Sequence, residues 1–289
     1  MNTMQSNSPP SARSNLGELV GWGCRALAAA SSTPRLDAEL LLSMAAGRPR
    51  SAILGFPEAT VPVAASEHFR SLIRERRVGV PLAYLTGHKE FYSLGLSVTR
   101  DTLVPRPETE LLVDLALSHL SQDSDAQVLD LGTGCGAIAL AVKRERPGVR
   151  VTAVDSSRAA LRVAQRNAAR LALDVRWVES TWFEALEGDR YDLIVANPPY
   201  VASADPHLAR DLRHEPRRAL DGGDDGLSAI RKILTGARAH LRPRGYVMIE
   251  HGCDQGPAVA ALARRHRLRC GQGHRDLSGQ ERVLVARAP

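Results

Sequence analysis

The chain has 289 residues, 44% of them hydrophobic, enough to bury a substantial core as one large domain or as a domain with an appendage. Its net charge of +6 invites a polyanionic partner, yet the basic residues are almost all arginines spread among acids along the whole length, which argues for solvated faces and against direct nucleic-acid binding. The four cysteines, Cys24, Cys135, Cys253 and Cys270, form no C-x-x-C pair and accompany no ligand-spaced histidines, so a reduced, cytoplasmic protein without a metal site is expected.

Residues 1–14 carry neither a basic start nor an apolar segment and read as a disordered tail, and no later run approaches the length of a membrane span. Over residues 15–83 apolar side chains recur at helical spacing: Leu16, Leu19 and Val20, then Leu36, Leu40, Leu41 and Met44, then Phe69, Leu72 and Ile73. Prolines and glycines such as Pro34, Gly47, Pro49 and Pro62 punctuate them, which predicts a small bundle of short helices. Such a bundle serves either as a structural cap or as a docking surface for a protein substrate. Residues 84–104 turn strand-like, with Glu90-Phe91-Tyr92 and Leu94-Gly95-Leu96-Ser97-Val98 around a tight turn, and predict a hairpin linking two domains. Pro105 and Pro107 then precede a helix over 108–120. Glu108 and Glu110 suit its positive N-terminal end, with a place in a reaction crevice as the alternative.

From residue 126 onward strands and helices alternate, so residues 105–289 are expected to form a doubly wound α/β domain. Gln127-Val128-Leu129-Asp130-Leu131 reads as a buried strand running into Gly132-Thr133-Gly134-Cys135-Gly136-Ala137 and then an apolar helix. A strand, a glycine loop and a helix N-terminus are the usual seat of an adenosine-containing cofactor. Asp155 ends the next strand, where a carboxylate can accept both ribose hydroxyls. Cys135 reads as a small residue that permits close backbone approach. The glycines also satisfy a permissive dinucleotide fingerprint. Asp130 discriminates: a carboxylate there would repel a pyrophosphate but suits a cofactor carrying an ammonium and a sulfonium, as S-adenosylmethionine does.

Further strands are expected near residues 175–178, 191–196, 246–250, 268–271 and 282–286. The run over 191–196 ends in Asn197-Pro198-Pro199-Tyr200. Proline lacks an N–H and fixes φ, so this turn holds backbone carbonyls that no strand or helix consumes. A planar NH2 group can donate one hydrogen to the Asn197 side-chain oxygen and one to the Pro198 carbonyl, while Tyr200 stacks on the gripped plane. Asn197, Pro198 and Tyr200 are therefore the candidate catalytic residues, with Pro199 added for substrate binding. Methyl transfer to nitrogen is the economical reading. Because ligands of open sheets bind beyond the carboxyl ends of the strands, residues 132–136, Asp155 and residues 197–200 should converge on one crevice. The segment Asp221-Gly222-Gly223-Asp224-Asp225-Gly226 reads as a flexible acidic loop near the substrate entrance or as a solvated turn.

These motifs, together with Pro34-Arg35-Leu36-Asp37-Ala38-Glu39, Pro81-Leu82-Ala83-Tyr84-Leu85-Thr86-Gly87, Arg106-Pro107-Glu108-Thr109-Glu110, Glu215-Pro216-Arg217-Arg218-Ala219-Leu220 and Asp276-Leu277-Ser278-Gly279, resemble the protein glutamine-N5 methyltransferases, in the branch specific for peptide chain release factors. The resemblance implies a class I S-adenosylmethionine-dependent methyltransferase fold: a mostly parallel seven-stranded sheet whose last strand is antiparallel, behind a small N-terminal helical bundle. It assigns Gly132, Thr133, Gly134, Cys135, Gly136, Asp155, Trp182 and Asn197 to the cofactor, with Trp182 flanking the adenine. It implies the glutamine of the Gly-Gly-Gln loop of release factors as acceptor, with a consequence for translation termination. Two departures stand out: Thr181 replaces the usual aspartate before Trp182-Phe183, and Ser278 and Gln280 replace the usual alanine and arginine. The competing readings are a nucleic-acid adenine-N6 amino methyltransferase, whose exocyclic NH2 offers the same donor pair, and a nonenzymatic ribosome-associated cofactor-binding module.

Overall fold

The computed structural model describes residues 14–123, 125–210 and 212–289, so the tail expected over 1–14 lies outside the described residues except for Ser14. The chain forms two compact units that divide after Gly87.

The first unit is helical: α1 (Leu16–Leu27), α2 (Pro34–Ala46), α3 (Arg50–Gly55), α4 (Val63–Arg77) and α5 (Leu82–Thr86). α1 opens with a capping box, the Asn15 side chain accepting from the Glu18 N–H at 2.8 Å and the Glu18 carboxylate from the Asn15 N–H at 3.2 Å. Leu16, Leu19 and Leu27 of α1 meet Leu41 and Leu42 of α2 and Phe69 of α4 in one buried cluster. Gly23 permits the close approach, since a Cβ there would stand 2.8 Å from the Phe69 ring. Asp37 and Glu39 are buried beside this core. Asp37 accepts from Ser31 Oγ, Thr33 Oγ1 and Arg76 Nε at 2.8, 3.1 and 2.7 Å, and Glu39 from Arg35 and Arg50 at 2.9 Å each. The segment 34–39 is thus an ion-pair hub, and it turns one arginine of the basic run 74–77 inward.

The second unit contains β1 (His88–Phe91), β2 (Leu94–Ser97), α6 (Glu110–Ser118), β3 (Gln127–Leu131), α7 (Ala137–Glu145), β4 (Arg150–Asp155), α8 (Arg158–Leu171), β5 (Arg176–Glu179), β6 (Tyr191–Ala196), α9 (Ser228–His240), β7 (Leu241–Glu250), α10 (Gly256–Arg265), β8 (Arg269–Cys270), β9 (His274–Arg275) and β10 (Glu281–Arg287). The main sheet runs β5-β4-β3-β6-β7-β10-β8, with the two-residue β9 added beside β10. β3 pairs in parallel with β4 and β6, and β6 with β7, while β10 is antiparallel to β7 and β8. This is the expected doubly wound, mostly parallel sheet, with the short β9 making eight strands where seven were expected.

Central strands covered on both faces need near-continuous apolar runs, and Leu129, Leu131, Ile194, Ala196, Val247 and Ile249 pack with Ile230, Ile233 and Leu234 of α9 in one cluster. Strand order reverses between β3 and β6, so their carboxyl ends open a crevice there.

Two boundaries differ from the sequence reading. Tyr84 to Thr86 complete α5, and the hairpin β1–β2 belongs to the second unit, where Asn167 of α8 accepts from the Ser97 N–H at 2.8 Å and donates to its carbonyl at 3.0 Å. Those bonds fasten the strands to the sheet domain, which strand periodicity alone does not reveal. β7 begins at Leu241, well before the predicted 246–250, because a register shift in its ladder with β6 absorbs Pro243.

Candidate active site

Two cavities meet at the carboxyl ends of β3 and β6. The first, about 730 Å³ and open to solvent, is lined by Gly132, Gly134, Asp155, Trp182 and Asn197, with Asp101, Thr102, Leu103, Ser157 and Arg218 among its other walls. The second, about 1310 Å³, is lined by Asn197, Pro198, Tyr200, Glu108, Arg106, Glu250 and Arg282 among others. Leu103, Asn197 and Ala219 face both. Asn197 therefore stands at the junction.

The glycine loop builds the floor of the first cavity. Gly132, Gly134 and Gly136 take φ values of +76°, +58° and +87°, a conformation that side-chain-bearing residues adopt at a cost. A Cβ on Gly132 would project into the cavity, 3.6 Å from the Trp182 ring and 4.0 Å from the Asn197 carbonyl. Asp155 is held by the Gly134 N–H at 2.9 Å and the Ser157 N–H at 2.8 Å, one on each oxygen, which leaves a lone pair on each for a ligand. Burial raises its pKa against those two bonds, and Arg218, which donates to Ser157 Oγ at 2.7 Å, opposes the rise. Trp182 holds φ at +55°, a strained backbone for a bulky residue, beside the cavity. Thr181, at the position where the resemblance implies aspartate, also lines it.

Asp130, Thr133, Cys135 and Gly136 do not line the cavity. They shape the loop from behind. Asp130 is fully buried and accepts from Thr133 Oγ1 at 2.6 Å and the Ala139 N–H at 3.2 Å, while its Oδ1 has no partner. Burial pushes its pKa up to about 7. The Cys135 thiol is buried and pushed up to about 12, and its carbonyl accepts from Asn167 at 2.9 Å. A buried carboxyl group behind a glycine cradle, with Asp155 lining the cavity, fits a ligand that carries a cation and a diol.

The turn after β6 places Asn197 at the junction of the two cavities and Pro198 and Tyr200 on the second. Asn197 Nδ2 donates to Thr109 Oγ1 at 2.9 Å, and no described donor takes Asn197 Oδ1 or the Pro198 carbonyl. Both acceptors remain available. Tyr200 donates to Glu250 Oε1 at 3.3 Å. Glu250 is buried with Oε2 unpartnered, and burial pushes its pKa up to about 7 against the opposing effects of Thr109, Tyr200 and Arg282. Tyr200 lines the second cavity with its hydroxyl tied to Glu250.

The segment 221–226 is not a flexible acidic loop. It clamps the turn from behind, because Gly222 and Gly226 lie where a Cβ would come within 2.8 Å of the Pro199 carbonyl and 2.3 Å of the Tyr200 carbonyl respectively. Its acids are used locally: Asp221 accepts from Ser203 Oγ at 2.5 Å and Asp225 pairs with Arg231. Gly226→Ala, at φ +72° against backbone atoms, should lower stability by at least about 1–3 kcal/mol in chemical denaturation. An unchanged midpoint would show that the clamp yields.

Glu108 lines the second cavity, whereas Glu110, at the start of α6, accepts from the Tyr92 N–H at 2.9 Å and fixes the hairpin turn. Glu215 joins two walls of the second cavity by pairing with Arg106 and accepting from the Val104 N–H at 3.0 Å. The terminal motif has a similar task, Asp276 holding Arg282 Nε at 2.9 Å. Thr109, Glu250, Arg218 and the Glu215–Arg106 pair went unassigned in the sequence reading. The segments of Thr109, Arg106, Glu215 and Arg218 figure in the motifs above, but only Glu108 and Glu110 were weighed there.

Among the described residues no helix is long and apolar enough to cross a membrane, and no group of three or more His, Cys, Asp or Glu residues is placed to hold a metal. Residues 109–256 match the family described as Methyltransferase small domain, and residues 18–87 the PrmC N-terminal domain. A release factor glutamine methyltransferase of Pseudomonas aeruginosa is 49% identical over 257 residues, 88% of this chain and 93% of its own. Another, of Xylella fastidiosa, is 47% identical over 264 residues, 91% of this chain and 96% of its own. A solved methyltransferase of Pyrococcus furiosus, 19% identical, matches with a TM-score of 0.53 over 67% of this chain and 88% of its own, a likeness of fold. With both units matched and such identity over nearly its whole length, the chain belongs to the release factor glutamine methyltransferase family.

Proposed function

We propose that the protein transfers a methyl group from S-adenosylmethionine to the side-chain amide nitrogen, N5, of the glutamine in the Gly-Gly-Gln loop of peptide chain release factors. The observation that carries this reading is the orientation of Asn197. Its Nδ2 is spent on Thr109, so Oδ1 and the Pro198 carbonyl present two acceptors where the two cavities meet. A primary amide is a planar group with two donor hydrogens and matches them.

S-adenosylmethionine, when bound, supplies an electrophilic methyl group on a sulfonium. The first cavity would hold it, with Asp155 on the ribose, Trp182 beside the adenine and the buried Asp130 carboxyl group acting on its ammonium through space from behind the glycine loop. An amide nitrogen is a poor nucleophile because its lone pair is delocalised, so orientation carries much of the acceleration and can be worth roughly 7–11 kcal/mol. Hydrogen bonds to Asn197 and Pro198 strengthen as positive charge develops on the nitrogen. Tyr200 completes the wall of the second cavity against which the amide would lie, while Pro199 lines the first cavity. The open second cavity would take the extended glycine-rich loop, and the helical unit is the proposed docking surface for the rest of the release factor.

The direct test incubates the protein with isotopically labelled S-adenosylmethionine and either purified release factor or RNA and DNA, followed by peptide mass measurement. Label should sit on the loop glutamine. Label found only in nucleic acid would overturn the reading.

Two outcomes bear on the cofactor. Asp155→Ala should weaken S-adenosylmethionine binding by roughly 1.5–3 kcal/mol, as expected for hydrogen bonds to a charged group, and calorimetry giving an unchanged Kd would place the ribose elsewhere. The second concerns pH. With its pKa at about 7, Asp130 holds a proton through the mildly acidic range, and a cation bound in the cavity on the other side of the glycine loop favours the ionised form. Binding must then release that proton, so affinity should rise with pH by up to about tenfold per unit below 7 and level off above. Asp130→Asn should flatten this slope; a slope unchanged in the variant would exclude Asp130 as its source.

A further inference from the structure

A block of unpaired positive charge gathers at one edge of the main sheet. Residues 241–289 hold nine arginines against four acids, and so carry five of the chain's six net positive charges. Two of the nine are paired, Arg242 with Asp192 and Arg282 with Asp276, each at 2.9 Å. Arg264 and Arg265 at the end of α10, Arg267 in the turn after it, Arg269 on β8 and Arg287 on β10 form no ion pair among the described residues. Arg244 stands apart from them beside Pro289, whose oxygen accepts its N–H at 3.4 Å.

Strand alternation places these groups. Cys270 Sγ donates to the Ala260 carbonyl of α10 at 3.6 Å, so its neighbour Arg269 points to the opposite face of the sheet. The ladder sets Arg269 directly opposite Arg287 and Arg287 opposite Tyr246 of β7, so the three side chains share that face. There the Arg287 guanidinium lies 5.4 Å from the centre of the Tyr246 ring, and His119 at the end of α6 meets the same ring edge-on at 4.5 Å. Arg264, Arg265 and Arg267, all exposed, carry the charge round the edge through the turn that precedes β8. Two placements are costly to the fold. Like charges directly opposite in a ladder repel, as Arg269 and Arg287 do, and Arg267 holds φ at +60°, the left-handed position after a helix where glycine is preferred. A partner that binds these arginines would offset both costs.

We propose that this edge of the sheet is a docking surface for single-stranded RNA. Arg269 begins β8 and Arg287 ends the antiparallel β10, so the surface lies toward the amino ends of the parallel strands, away from the crevice at their carboxyl ends. Guanidinium groups match phosphate oxygens bidentately, and two of them side by side suit successive phosphates of one strand. An acidic peptide would meet the same charge. Tyr246 and His119 decide between the two, because aromatic rings among arginines are platforms on which unpaired bases stack, and carboxylates have no use for them. A duplex keeps its bases stacked on one another and leaves the rings unused. RNA is favoured over DNA because translation, in which peptide chain release factors act, runs on RNA. The surface belongs to the second unit alone and stands whichever group receives the methyl.

The experiment measures the Kd of a short fluorescent single-stranded RNA over a range of salt, in mildly alkaline buffer. For the unsubstituted protein the logarithm of affinity should fall linearly with the logarithm of salt, by about 0.7 for each phosphate neutralised. Arg269→Gln, whose side chain makes no hydrogen bond among the described residues, should lower that slope by about 0.7, and the double variant Arg269→Gln with Arg287→Gln by about 1.4. The double variant should also bind at least tenfold more weakly at low salt. His119→Ala should weaken binding several-fold with the slope nearly unchanged, as loss of stacking does. Arg176→Gln, on β5 at the other edge of the sheet, should change neither quantity. No RNA binding by the unsubstituted protein at low salt, an unchanged slope in Arg269→Gln and the double variant, or an equal loss in Arg176→Gln would overturn the proposal. Poly-glutamate of matched charge, or duplex DNA, displacing the RNA as well as unlabelled RNA does would overturn it too, the first in favour of an acidic peptide and the second in favour of shapeless attraction to any polyanion.

Discussion

A release factor whose loop glutamine is replaced by glutamate should receive no methyl group from this protein. Asn197 and Pro198 line the second cavity, and neither Asn197 Oδ1 nor the Pro198 carbonyl has a donor among the described residues. Glutamine satisfies both through its NH2 group. Glutamate brings no hydrogen at neutral pH and sets a carboxylate against two oxygens, an unpaired contact that costs several kcal/mol. Sites built around hydrogen bonds to a substrate group reject an analogue lacking it by about 10⁴–10⁵, far beyond what an apolar pocket achieves. The mass of the peptide spanning the loop, measured after incubation of each factor with the protein and S-adenosylmethionine, decides the matter. Equal mass gain in both would show that the acceptor is another residue.

Asn197→Ala should lower kcat by about 10²–10³, the usual loss when one oriented polar group is removed from a developing charge. The substitution deletes one of two acceptors and also frees Thr109 from its bond to the amide. It removes little packing, because Asn197 is only half-buried at the edge of the crevice. Thermal unfolding should therefore change little. Single-turnover kinetics separate the outcomes: a fall in kcat with modest change in KM marks loss of an interaction made mainly in the transition state, whereas a rise in KM alone would mark simple binding. A variant with near-normal kcat would remove Asn197 from the chemistry.

The parts of this site that the sequence made legible are those whose chemistry is local. Gly132, Gly134 and Gly136 stand where the backbone needs positive φ between a buried strand and a helix, and that need is written in consecutive residues. Pro198 and Pro199 lose their N–H groups wherever they fold, so unpaired carbonyls after β6 were predictable. Asp155 follows from the same logic, one residue type at one strand end. The sheet itself was legible because β3, β4, β6 and β7 are apolar runs at βαβ spacing, and the strand order then brings their carboxyl ends together.

What depended on distant segments was not legible. The composition 221–226 is rich in aspartate and glycine, as a solvated turn would be, yet its glycines are there to let backbone pass within van der Waals contact of residues 199–200. Asp130 was expected to face a ligand, and its charge was the argument; the fold buries it beneath the loop and alters that charge. Helix-start preference described Glu110 but not its bond to Tyr92, whereas Glu108 takes the alternative place, on a wall of the second cavity. Thr109 and Asn197 sit far apart in the chain, as do Tyr200 and Glu250, and each pair meets only when β7 is laid beside β6 and the turn before α6 comes against their ends. The sequence by itself determined the groups that bend the backbone and offer acceptors, because those properties belong to single residues. The tertiary structure alone decided which polar atoms are buried, which are paired and which way Asn197 points, because burial and hydrogen-bond polarity are properties of neighbours.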